Sequence, residues 1–98
     1  MQPYTENRSA ERFSLSYQVE LENGKGLTRN ISKTGVYFET SIFYSVGSVL
    51  QFSIQLQKLD KEVNRLRCHG RVIRTDKHTQ KWGVAVNYLT LGFEYSDV

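Results

Sequence analysis

Two short motifs in this chain of 98 residues hold hydrogen-bonding side chains at fixed spacing. The first is Arg8-x-x-x-Arg12, and the second is Asn30-x-Ser32-x-x-Gly35. Arginine carries a planar, permanently charged fork of donors that fits paired phosphate oxygens. Asparagine offers both a donor and an acceptor, and serine can play either part. Such a set recognises a polar ligand rather than making or breaking bonds. By average residue usage the first motif arises by chance in about a fifth of chains this long, and the second in about one in twenty. Each also has a local explanation. Arg8 and Arg12 read as solvated surface charges, and Asn30 to Gly35 as a turn, because Asn, Ser and Gly all favour turns.

Catalytic patterns are missing. His69 and His78 do not stand at a metal-ligand spacing and read as surface histidines. There is no G-x-S-x-G, no Walker-type phosphate loop and no H-E-x-x-H. The single cysteine, Cys68, excludes an internal disulfide and a multi-cysteine zinc site. It falls among apolar neighbours and reads as a small core residue. A binding module without cofactor or metal is expected, not an enzyme.

The net charge of +3 is unevenly spread. Residues 1–35 carry +1, residues 36–57 carry −1, residues 58–81 carry +5 and residues 82–98 carry −2. A localised basic stretch points to an anionic partner such as nucleic acid, nucleotide or acidic lipid, or to a solvated strand face that resists aggregation. Within it Arg65, Arg67 and Arg71 share one strand face with His69. That stripe supports an alternative function, binding of single-stranded nucleic acid on a small β-barrel.

The elements that must position these groups are strands. Phe13, Leu15, Tyr17, Val19 and Leu21 alternate with polar residues, the period of a half-buried strand. Asn23-Gly24 is a hairpin signal, followed by a strand over Leu27 to Ile31. Further strands are expected over Val36 to Glu39, Val49 to Leu56, Val63 to Arg74 and Trp82 to Tyr88. Gly70 marks a bend or bulge. Arg74 has core-face parity but falls at its strand's end, which places it at a rim. Gly92 to Val98 reads as an irregular turn or frayed end. Helical periodicity is absent over any useful length, so a small six-stranded antiparallel β-barrel of split-barrel type is expected, its C-terminal helix short or absent. Residues 1–12 read as a flexible arm and 13–98 as the barrel. The chain contains no apolar run of membrane-spanning length and no export signal, which favours a cytoplasmic location.

The two motifs, their order and their strand frame resemble the PilZ domain family, bacterial receptors for cyclic di-GMP. Gly70-Arg71-Val72-Ile73-Arg74 and Trp82-Gly83-Val84-Ala85-Val86 resemble the family's last two strands, so the likeness runs from Arg8 to about Tyr88. It implies cyclic di-GMP as ligand, with Arg8, Arg12, Asn30, Ser32 and Gly35 binding it and Asn7 and Arg74 as further contacts. Arginine suits both the phosphates and guanine O6/N7 of such a dianion. Gly35 is expected to supply positive φ and a close backbone approach. The likeness also implies a protein effector as output. There are three departures. Asn7 replaces a second arginine, which favours one bound ligand. Asn30 replaces aspartate, which lowers affinity. A missing C-terminal helix leaves the barrel end to another cover, such as the second subunit of a homodimer. A PilZ-type barrel used for protein contacts alone is the remaining alternative.

Overall fold

The computed structural model describes residues 16–56 and 62–97, with side chains described for 16–56 and 65–94. Six strands close a barrel: β1 (Gln18–Leu21), β2 (Gly24–Ile31), β3 (Gly35–Thr40), β4 (Val49–Gln55), β5 (Glu62–Lys77) and β6 (Trp82–Asp97). Their order around the barrel is β1-β2-β3-β6-β5-β4, and every neighbouring pair is antiparallel. No helix occurs among the described residues, and hence none long and apolar enough to cross a membrane.

The alternation in the sequence becomes the inside and outside of the barrel. Val19, Val36, Phe38, Phe52, Ile54, Cys68, Val72, Val84 and Val86 form the buried core. The rings of Phe38 and Phe52 sit 5.7 Å apart at its centre. β-Branched and aromatic residues supply this packing because they fit a pleated surface. Among the described residues each of the six strands pairs with a neighbour on both sides, which suits a chain with so little core to spare.

Three details differ from the sequence expectation. The β1–β2 loop is Glu22-Asn23, since Leu21 already pairs with Gly24. A Cβ at Gly24 would come within 2.7 Å of Ile42 Cδ1, the end of a flexible side chain that would have to shift to admit it. β5 continues through Lys77, beyond the expected end at Arg74. β6 continues to Asp97 in place of an irregular tail, because the first half of β5 takes it as its partner: Leu66 faces Phe93 and Arg65 faces Glu94. Phe13, Leu15 and the boundary between arm and barrel lie outside the described residues.

Candidate ligand site

Strand parity is reset at three bulges, and two of them build the site. On β2 the register shifts between Thr28 and Asn30, leaving Arg29 as the extra residue. On β5 it shifts between Val72 and Arg74, leaving Ile73 extra. A bulge of this kind re-aims the side chain that follows it. Thr28 and Val72 point inward and are buried. Asn30 and Arg74 consequently face out. Arg74 is therefore neither on the core face nor at a strand end: it stands mid-strand on the outer surface with its side chain 62% exposed. The third shift, between His69 and Gly70, falls where the mid-strand glycine predicts it.

The resulting register sets four residues side by side across four strands. Asn30 pairs with Tyr37, Tyr37 with Ala85, and Ala85 with Arg74. Small Ala85 leaves the middle of this row low. Beside it lies a groove of about 320 Å³, bordered by Asn30, Ser32, Gly35, Tyr37, Arg74 and Asn87 among others. The structure thus brings together Asn30, Ser32, Gly35 and Arg74. Asn7, Arg8 and Arg12 lie outside the described residues.

The Ser32–Gly35 loop is built by its own serine. The backbone amides of Thr34 and Gly35 each donate to Ser32 Oγ at 3.2 Å, and Ser32 N–H donates to the Gly35 carbonyl at 2.9 Å. Tyr88 N–H donates to the Thr34 carbonyl at 2.9 Å, which ties the loop to β6. Ser32 is thus a local turn-former, and its exposed hydroxyl also borders the groove. Gly35 is not in the left-handed region. Among the described residues the glycine with positive φ is Gly47, at 96°. Gly35 is needed because a Cβ would strike the Val86 carbonyl of the neighbouring strand.

The sequence reading did not single out Tyr37, Asp76 or Asn87. The Tyr37 phenol crosses Gly83, donates to Asp76 Oδ2 at 3.0 Å and lies 3.1 Å from His78 Nε2. Arg74 Nε donates to both oxygens of Asp76, at 3.2 and 3.3 Å. The guanidinium carbon of Arg74 sits 5.3 Å from the centre of the Tyr37 ring, within cation–π range. Burial raises the Tyr37 pKa, and the Asp76 carboxylate adds to the rise. The phenol's hydrogen bond, with help from Arg74, holds the Asp76 pKa below its ordinary value. Asn87 pairs with Gly35 across β3 and β6. One signal was available for Tyr37 and Asn87: both sit at outward positions of strands whose alternation is plain.

The arginine stripe is differently placed. Arg65 and Arg67 both reach Glu94, at 3.7 and 3.2 Å, and Arg71 donates to the Gly47 carbonyl at 3.2 Å. A larger open groove of about 780 Å³ beside it includes Glu20 and Glu22 as well as Arg67 and His69. Among the described residues its lining mixes both signs, unlike the positively charged groove that tracks a single strand. Cys68 is buried, donates its thiol to the Leu66 carbonyl at 3.6 Å, and has its pKa pushed up to about 12 by burial.

A family model described as the PilZ domain matches residues 6–97. The chain belongs to the PilZ domain family. Searches of curated proteins and of solved structures gave no significant match. PilZ domains are a cyclic di-GMP-binding family, receptor modules and not catalysts. In this PilZ chain the groove beside the Asn30–Arg74 row is the place where the second motif meets β5 and β6.

Proposed function

We propose that this PilZ domain is a cytoplasmic bacterial receptor for cyclic di-GMP that binds its ligand on the outer face of the barrel. The observation that carries this reading is the convergence of Asn30, Ser32, Gly35 and Arg74 on one groove, although they come from β2, the β2–β3 loop, β3 and β5. Asn30 matches the donor and acceptor edge of a guanine, and Ser32 adds a hydroxyl. Arg8 and Arg12 close over the ligand from the arm of residues 1–12, one fork on a phosphate and one flat face on a purine. Binding fixes that arm against the barrel of residues 13–98 and creates a new surface for a protein effector. A ligand shifts a conformational equilibrium by its differential affinity, so this needs no catalytic group.

Calorimetric titration of the full chain with cyclic di-GMP tests the reading. Saturable binding is expected, and it is lost in Arg8→Ala and in Arg12→Ala. Equal binding by the wild type and both variants would contradict it.

A further inference from the structure

Cyclic di-GMP is a dianion, yet among the described residues that border the groove Arg74 is the one that carries a charge. An arginine on a surface strand normally samples many rotamers, and a ligand that uses it must bear the cost of ordering it. Arg74 is already ordered from two sides. Asp76 takes its Nε with both oxygens, and the Tyr37 ring lies under its guanidinium. Tyr37 is itself held, because its hydroxyl donates to the same carboxylate and its ring crosses the bare backbone of Gly83. We propose that Tyr37 and Asp76 are positioning residues that clamp Arg74 as the phosphate-binding cation of this groove. The role rests on the cyclic di-GMP reading and adds to it a residue pair outside both motifs.

Two effects of Asp76 oppose each other. Its negative charge repels a phosphate, and its hold on Nε fixes the guanidinium. The pair is open to water, with Arg74 62% and Asp76 37% exposed, so the repulsion is strongly screened. The saving in side-chain entropy is not screened. The hold, two hydrogen bonds at 3.2 and 3.3 Å, is expected to outweigh the repulsion, and Asp76→Ala reads the balance. Arg74 is attached through Nε, and an arginine bound that way can still turn its terminal nitrogens to a ligand.

The test is titration of the full chain with cyclic di-GMP at two salt concentrations. The variants are Tyr37→Leu, Asp76→Ala and Arg74→Ala, singly and with each of the first two combined with the third. Arg74→Ala is expected to weaken binding and flatten its salt dependence. Tyr37→Leu is expected to weaken binding about two- to fivefold, the range of an exposed cation–π contact. Asp76→Ala should act in the same direction, and neither should matter once Arg74 is alanine. Tyr37→Phe keeps the ring and guards against misfolding of the leucine variant; it should retain most of the affinity. Tighter binding by Asp76→Ala would overturn the clamp, as would penalties that persist unchanged beside Arg74→Ala. Loss of binding in Arg8→Ala with no effect of Arg74→Ala would strike the clamp and leave the receptor reading standing. A wild-type chain that binds nothing would remove both.

Discussion

The phenol of Tyr37 lies across Gly83, where a Cβ would collide with it and would also come within 2.8 Å of His78 Nε2. One missing side chain on β6 thus lets a β3 aromatic reach Asp76 on β5. Gly83→Ala should push the ring aside, break its hydrogen bond to Asp76 and cost about 1–3 kcal/mol. Thermal unfolding reads this directly, at about 4–8 °C per kcal/mol for a domain of this size.

Gly35→Ala is expected to be the worse of the two glycine changes. Its Cβ meets the Val86 carbonyl, a backbone group that cannot swing away as a phenol can. The same melting experiment on both variants should rank Gly35→Ala as the less stable. The reverse order would mean that the loop of residues 32–34 yields more easily than its hydrogen bonds to Ser32 indicate.

Tyr88 offers a change in the opposite direction. Its hydroxyl is buried without a hydrogen-bond partner among the described residues. Such a group carries a desolvation cost of about 1–3 kcal/mol, so Tyr88→Phe should leave stability unchanged or raise it by up to about that amount. Chemical denaturation of both proteins checks this, and a clear loss of stability would show that the hydroxyl has a partner in solution.

Alkaline pH should weaken the fold through two buried protons. Burial raises Cys68 from an ordinary 9.0 and Tyr88 from an ordinary 10.0, each to about 12. The unfolded chain releases these protons first. Their stabilising effect is therefore full below about pH 9 and is lost as the pH climbs towards about 12. Cys68→Ala should lower the stability at neutral pH through lost packing, yet flatten its decline above pH 9. Denaturant midpoints measured across that window give the slope.

Much of the barrel was readable because period-2 alternation survives wherever register is regular. Val19, on the apolar side of the first alternating run, is fully buried as that pattern requires. The two bulges that build the site carry no comparable mark. The extra residues Arg29 and Ile73 look like ordinary members of their strands, and skipping one reverses everything beyond it. Arg74 consequently acquired the wrong face on paper. The same cause hid the end of β6: Leu89 is the unpaired residue at the His69/Gly70 shift, after which Leu91 and Phe93 resume the alternation. Asn30, Ser32 and Gly35 were legible as a motif because they are close in sequence. Tyr37, Gly83 and Asp76 form one contact network from three strands, and nothing in linear spacing links them.

The basic stripe should be dispensable for ligand binding. Arg65 and Arg67 share Glu94 in solvent, an arrangement worth about 0–1 kcal/mol. Arg67→Ala should leave both the melting midpoint and the cyclic di-GMP titration nearly unchanged. An oligonucleotide mobility shift run beside them should show no binding that Arg67→Ala removes.

The most direct test of the site is amide chemical-shift mapping by NMR as cyclic di-GMP is added to the full chain. The largest changes should cluster at Asn30 to Tyr37, at Arg74 and at Ala85 to Asn87, the residues gathered around the outer groove. Changes centred on Arg65, Arg67 and Glu94, or no changes at saturating ligand, would contradict the account.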